Sequence, residues 1–350
     1  MLPTRTPILI AGLAVLLSAC GGGGSAGTAG PSMPASDATP KVDLQPAMGD
    51  FYSYKEVYVN TSPGNTAPPA PLLWYVDIPT SVNGDGTWSE TSTNDDPYIR
   101  RATSVLRADG STSSFINGAC TTTYASPTGT SLKDLAVGAS WTTALAPAPA
   151  YSAGCTPSTY PAAGTRHGEV VAEETLTVAA GTFKTLKVVS SASTSYASGN
   201  KTATESTIWR DSVTRRIVKE NYSSTTTTAQ GKIVSFTMAI ELQGYADAKR
   251  GRQSLNVERF AGPWSGSYSG SYSGSCSGQI STAGVLDAAC GGGQFSIHGT
   301  VDARGQVTFS LSSGGVAGPV FSGSFESPLT INGTWSAGAG VSGNWTLNHL

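Results

Sequence analysis

Few side chains in this 350-residue sequence combine a reactive type with a useful spacing. Gly274-Ser275-Cys276-Ser277-Gly278 has the form of a nucleophile elbow with cysteine as the attacking group. Such an elbow needs a strand before it and a helix after it, so that the thiol stands clear of the sheet. Here the motif lies inside a Ser-Gly repeat with no helical pattern following, which reads as strand. The three histidines are scattered: His167 beside Arg166, His298 opposite the apolar Ile297 and Val301, and His349 next to last. A Ser-His-Asp arrangement needs one of them fixed against a serine and an acid, and serine is too frequent here to single one out. They read as surface histidines rather than zinc ligands. Asn94-Asp95-Asp96, with Asp85 and Glu90 nearby, could gather oxygen ligands for Ca²⁺. The spacing departs from an EF-hand loop, which requires Gly at its sixth position and Glu at its twelfth, and Asp or Asn ahead of Pro97 serves equally as a turn former. Phe51, Tyr52, Tyr54, Tyr58, Trp74, Tyr75 and Trp88 could line an apolar or sugar-stacking cleft, or pack an all-β core. The expectation is no catalytic residue, no metal and no cofactor.

The elements that carry these residues read as strands. Charged residues are 13% of the chain and the net charge is −2, so no basic surface calls for nucleic acid or anionic headgroups. The 42 glycines come with abundant Ser and Thr, a usage of short strands and tight turns. Residues 21–48 are Gly, Ser, Ala, Thr and Pro with little apolar content and read as a disordered tether reaching about 30 Å. From Gly49 the pattern changes. Phe51 to Val59 is aromatic and β-branched on both faces, so one face is expected to meet something other than solvent. Leu72–Ile78, Ile99–Leu106 and Phe115–Tyr124 follow, with hairpin chemistry at Asn83-Gly84-Asp85-Gly86 and Asp109-Gly110. Ala144 to Ala163 reads as a long loop. Glu169 to Tyr222 holds paired apolar runs about Ala180-Gly181, with further turns at Asn200 and Asp211-Ser212, and Ile233–Leu242 is a last strand. The charged stretch 246–256 lacks strand character and reads as a linker between a β domain over 49–245 and a second over 257–350.

The second domain has a repeat. From Trp264 to Ile280 one strand face carries Trp264, Tyr268, Tyr272, Cys276 and Ile280 alternating with Gly, and the other carries Ser almost throughout. The unit large-x-Gly-x-large recurs at Ile297–Val301, Phe321–Phe325, Ile331–Trp335 and Val341–Trp345. Glycine is costly in a strand, so its repetition at one phase predicts bulky rings of neighbouring strands lying across bare backbone. Small and large inward residues alternate in this way inside small barrels. About eight strands are expected, closed as an antiparallel meander that leaves no edge.

Three resemblances add to this. Arg5, the apolar run Ile8–Leu17 and then Leu17-Ser18-Ala19-Cys20 resemble the signal and lipobox of bacterial lipoproteins. The resemblance implies a signal peptide over 1–20, a diacylglyceryl (and palmitoyl-type) modification of Cys20, and membrane attachment through that lipid. Gly21 carries no inner-membrane retention Asp, which by analogy implies the outer membrane. With Cys20 acylated, two cysteines remain in each half of the chain, and Cys120–Cys155 and Cys276–Cys290 are the expected disulfides of an export compartment. Val178 to Val188, followed by Trp209 and Arg216 to Lys219, resembles a hairpin signature of uncharacterised envelope proteins, similar in outline to the open half-barrels of lipoprotein carriers. That implies a concave sheet able to hold a lipophilic ligand, although the helices that plug such half-barrels are not evident here. The Gly-rich half is similar to calycin-type barrels, distantly to avidin, with no biotin motif to carry over. The expected fold is all-β: an antiparallel open half-barrel or sandwich followed by a small barrel. The expected role is a non-catalytic, lipid-anchored envelope protein that binds a lipophilic small molecule or an envelope protein, with an envelope hydrolase or a structural surface protein as alternatives.

Overall fold

The computed structural model describes residues 42–61, 72–94, 101–124, 131–144, 150–152, 155, 161–254, 256–313, 316–327 and 330–350. Cys20, most of the expected tether and the Asp95-Asp96 pair lie outside these residues. Fourteen strands form one sheet: β1 (Phe51–Thr61), β2 (Leu72–Val82), β3 (Trp88–Asn94), β4 (Arg101–Leu106), β5 (Thr112–Asn117), β6 (Cys120–Thr123), β7 (Ser140–Ala144), β8 (Ala150–Tyr151), β9 (Pro161–Val178), β10 (Gly181–Tyr196), β11 (Lys201–Asp211), β12 (Ile217–Thr227), β13 (Ile233–Asp247) and β14 (Arg252–Ser254). Their order is β7-β9-β10-β11-β12-β13-β1-β2-β3-β4-β5-β6-β8, with β14 added to the end of β13. The chain therefore enters at the centre, runs out along one side, and returns along the other until β13 pairs with β1. One continuous sheet replaces the sandwich that was the alternative for this region.

The sheet curls. Register shifts at Ser53/Tyr54, Lys187/Val188 and Trp209/Arg210 each add local twist. At the β9–β10 corner the Ala180 N–H donates to the Leu242 carbonyl of β13 (3.3 Å), four strands away in the sheet order. Gly168 on β9 leaves room for the Trp141 indole of β7, which even a methyl group there would overlap. Phe115–Tyr124, expected as one strand, is two: Gly118 takes a positive φ of 58° and turns β5 into β6. The loop expected over 144–163 contains β8 and the first residues of β9. Cys120 and Cys155 are bonded, fastening that region to β6.

Residues 42–48, expected to continue the tether, lie on the fold as a strap. Leu44 is buried, Lys249 Nζ meets Asp43 Oδ2 at 2.8 Å, and Gln45 Nε2 donates to the Asn83 carbonyl at 2.6 Å. The buried Asp50 carboxylate accepts from the backbone N–H groups of Ala47 (2.7 Å) and Ala248 (2.8 Å). Segment 246–256, expected as a plain linker, holds the end of β13, a short 3₁₀ turn (Ala248–Arg250) and β14. Its charges anchor the strap.

The second body is a closed antiparallel barrel of β15 (Gly262–Gly270), β16 (Gly274–Ile280), β17 (Val285–Cys290), β18 (Phe295–Val301), β19 (Gln306–Ser313), β20 (Val316–Ser327), β21 (Thr330–Ser336) and β22 (Ser342–His349). Trp264, Leu286, Ile297, Phe309, Phe321, Ile331, Trp335 and Trp345 fill its interior. The glycine phase does what the repeat predicts. A Cβ on Gly323 or Gly333 would lie 2.6 or 2.5 Å from the Trp345 ring, and one on Gly343 2.5 Å from Trp335. The indole N–H groups are satisfied inside: Trp335 donates to Ser269 O (3.0 Å) and Trp345 to Thr334 O (3.1 Å). The run Trp264–Ile280 is a hairpin and not one strand, because the periodic repeat conceals the turn at 271–273. Tyr272, expected inside, is consequently exposed. Cys276 and Cys290 face each other across β16 and β17 and are bonded.

The barrel core extends to Phe51, with Val76 and Ala246 beside it. The two aromatic faces of β1 are thereby explained: Phe51 packs toward the barrel, and Tyr52 and Tyr54 pack inside the curled sheet.

Candidate functional site

The side chains singled out by type are not brought together. Cys276 is a buried half of a disulfide on a strand, so the elbow reading fails. His167 is exposed on β9 with Nδ1 3.1 Å from Thr142 Oγ1. His298 pairs with Asp287 across β18 and β17 at 2.8 Å, and Ser310 is its other cross-strand neighbour. That row has the residue types of a triad, but His298 and Asp287 are 70% and 66% exposed on a flat outer wall, a setting in which water screens every partner. His349 packs edge-on against Trp264. The Asp85 carboxylate accepts from the backbone N–H and hydroxyl of Thr87 within its turn. Glu90 faces a guanidinium, and among the described residues no group of His, Cys, Asp and Glu is placed to hold a metal ion. The side chains of Tyr58 and Trp74 lie outside the description.

What the fold does assemble is a polar cluster on the inner face of the curled sheet. Arg216, just ahead of β12, reaches over β13, β1 and β2 to Glu90 on β3. Its Nη1 donates to Glu90 Oε2 at 2.7 Å and its Nη2 to Oε1. The guanidinium lies 4.3 Å from the centre of the Tyr52 ring, and Trp88 Nε1 donates to Glu90 Oε1 at 2.7 Å. This forked pairing suits a planar guanidinium and fixes both partners in orientation. Burial alone would lower the Arg216 pKa, but the Glu90 carboxylate more than offsets it and holds the value well above normal.

On β2, Asp77 accepts from the Ser92 hydroxyl of β3, its cross-strand partner. Burial, reinforced by the nearby Glu90 charge, raises the Asp77 carboxyl to about 7, against the opposing pull of Ser92 and Arg216. Near neutral pH it is therefore shared between acid and carboxylate. Beside it the rings of Tyr54 and Tyr75 stack at 4.8 Å. Burial raises the Tyr52 hydroxyl to about 12 and those of Tyr54 and Tyr75 further. On β11 and β12, Arg210 and Glu220 are both buried, and Glu220 Oε1 accepts from Ser206 at 3.1 Å. Arg210 donates to the Arg215 carbonyl at 2.9 Å, while its Nε has no hydrogen-bond partner. Burial lowers Arg210 and raises Glu220, each opposed by the other's charge.

The remaining inner face is apolar on the β9–β11 side, with Val170, Val188 and Ile208, and aromatic toward Tyr222, Phe236 and Met238. The inner face thus sets packed apolar core beside a charged cluster bridged by an ion pair. Val170, Val188 and Ile208 are packed core against Leu135 and Trp141, whereas Tyr75, Tyr222 and Phe236 are half-buried, and Asp77 offers a carboxyl poised between two protonation states. Of this cluster, Glu90 (in a calcium role), Arg216 (only within the hairpin resemblance) and the aromatics Tyr52, Tyr54, Tyr75 and Trp88 stood out in the sequence, and Asp77, Arg210 and Glu220 did not. The signal for them was a charge two residues after an inward apolar or aromatic residue of an alternating strand: Asp77 after Tyr75, Arg210 after Ile208 and Glu220 after Val218.

No protein-family model and no curated protein matches the sequence. Among solved structures, the hypothetical lipoprotein YmcC from Escherichia coli (K12) aligns at a TM-score of 0.30 and 11% identity, covering 54% of this chain and 87% of that one. An exported protein with a YmcC-like fold from Bacteroides fragilis aligns at 0.26 and 11%, covering 59% and 100%. Transferrin Binding Protein B from Haemophilus parasuis aligns at 0.21 and 9%, covering 87% and 77%. At such scores these are likenesses of outline.

Proposed function

We propose that this chain is a non-catalytic, lipid-anchored protein of the bacterial cell envelope, held on the outer membrane, that works as a binding or assembly module. The observation that carries the reading is Leu17-Ser18-Ala19-Cys20 leading through a Gly-, Ser- and Pro-rich stretch to two β bodies. Buried acyl chains contribute roughly 0.8 kcal/mol per CH₂, enough for stable anchoring once two or three are attached. The test is labelling of growing cells with an alkynyl palmitate, followed by membrane fractionation. The native chain should take label and sediment with outer membrane, and Cys20→Ser should do neither. An unlabelled native chain in the soluble fraction would refute the anchor.

The half-buried rings of Tyr75, Tyr222 and Phe236 on the inner face support a lipophilic ligand in the curled sheet. Solvent extraction of purified Cys20→Ser protein, followed by mass spectrometry, should recover such a ligand at close to one per chain. A clean extract counts against it and leaves the protein-partner form of the module.

A further inference from the structure

The outer wall of the barrel is almost without charge. Residues 257–350 contain six charged side chains, and none falls in 260–286, 305–325 or 327–350. Soluble surfaces ordinarily mix about a quarter to a third charged residues. In their place the outward positions align hydroxyls and amides in cross-strand rows. One runs Ser275, Ser267, Thr346, Asn332, Ser324 and Gln306 over β16, β15, β22, β21, β20 and β19. A second starts at Ser269 and passes through Asn344, Thr334 and Ser322. Neighbours within a row are about 4.8 Å apart and successive rows about 6.8 Å, from strand spacing and rise. Nearly every member both donates and accepts hydrogen bonds, and some already bond along the row, as Thr346 Oγ1 does to Asn332 Oδ1 at 2.7 Å.

At the rim of this lattice stands Tyr272, 65% exposed in the β15–β16 turn. One face of its ring lies on Trp335, with centroids 6.3 Å apart and planes 29° apart. Trp335 lies beside one face of the ring, and most of the ring is open to solvent.

A polyanion or anionic membrane finds no countercharge on such a wall, and an apolar partner finds only the isolated Val320 of β20, 52% exposed, to bury. A neutral polyol finds donors and acceptors at a regular spacing and one exposed aromatic plate for the C–H face of a ring. We propose that the wall of β16, β15, β22, β21 and β20 is a contact surface for a neutral polysaccharide, with Tyr272 as the stacking residue. This names a partner for the binding module proposed above, but it does not depend on the lipid.

The test uses the full chain carrying Cys20→Ser, so its failure leaves the anchor reading untouched. Depletion from solution by microcrystalline cellulose, chitin and cross-linked dextran is measured at low and high salt. At least one matrix should retain the protein, equally at both ionic strengths. Tyr272→Ala should weaken retention roughly three- to tenfold. Asn344→Lys, which sets a charge on an exposed position, should weaken it by at least a similar factor, both variants keeping the native melting temperature. Retention by none of the matrices, retention lost in salt, or native-like binding by both variants would overturn the proposal.

Discussion

Replacing Glu90 by Gln isolates the ion pair that bridges β12 and β3 across the curled sheet. The amide keeps an acceptor for Trp88 Nε1 and nearly the same shape, so the change removes charge and little else. The side chains of Glu90 and Arg216 are only 9% and 15% exposed, and stripping one partner from a buried pair typically costs 3–5 kcal/mol. The Arg216 guanidinium retains the Tyr52 ring face, which is worth about 1 kcal/mol, so we expect a loss near 3 kcal/mol. At about 2–4 °C per kcal/mol for a body of this size, the melting transition of the sheet should fall by about 6–12 °C. The double variant Glu90→Gln/Arg216→Met should recover most of that, to within about 1 kcal/mol of the native protein, because no unpaired charge is left buried. Urea unfolding followed by tryptophan fluorescence reads the cycle, since Trp88 itself lies in the cluster. A single variant within about 1 kcal/mol of native, or a double variant as unstable as the sum of its singles, would show that the pair does not brace the curl between β12 and β3.

Three other outcomes follow from the same physics. Asp77 titrates at about 7 in the folded protein, above its ordinary value. The stability it contributes is therefore present in full at low pH and lost as pH rises toward 7 and beyond. Asp77→Asn should match the native protein near pH 4 and exceed it by a few kcal/mol at pH 8 in urea titrations, and parallel curves at both pH values would refute the assignment. Gly333→Ala would push a methyl group against the Trp345 ring and the Ser322 carbonyl, and should cost the barrel about 1–3 kcal/mol with a changed near-ultraviolet dichroism of tryptophan. The bonded pairs Cys120–Cys155 and Cys276–Cys290 span 35 and 14 residues. Chain-entropy arguments give losses of about 4 and about 3 kcal/mol on conversion of each pair to serine, measurable as separate drops in the urea midpoints of the sheet and the barrel.

Alternation of polar and apolar residues made most of the strands legible. The β9–β13 meander was readable with its turns, because Ala180-Gly181, Asn200 and Asp211-Ser212 interrupt long alternating runs. The barrel was readable from its glycine phase. Two turns were not expected, for different reasons. At 271–273 the repeat continues unbroken through the bend, so no residue marks it, whereas the Gly118 turn is marked by Asn117-Gly118, a signal that the expectation of one continuous strand passed over. The cluster was largely illegible. Arg216 and Glu90 are separated by 126 positions, and their meeting depends on how far three intervening strands curl, a cumulative twist that no local pattern encodes. The strap was missed because 42–48 was read with the Gly-, Ser- and Ala-rich stretch before it, although it holds no Gly, Ser or Thr and Val42, Leu44 and Gln45 set it apart.

The strap also fixes where a mechanical load enters the molecule. A pull on the chain upstream of residue 42 passes through Leu44 and Asp50 directly into β1, which lies between β13 and β2 at the middle of the sheet. Drawing out an interior strand lengthwise must shear both of its ladders at once, whereas tugging on an outermost strand would unzip one bond at a time. Chain order alone thus gives this architecture its resistance to being dragged open by whatever holds its leading end.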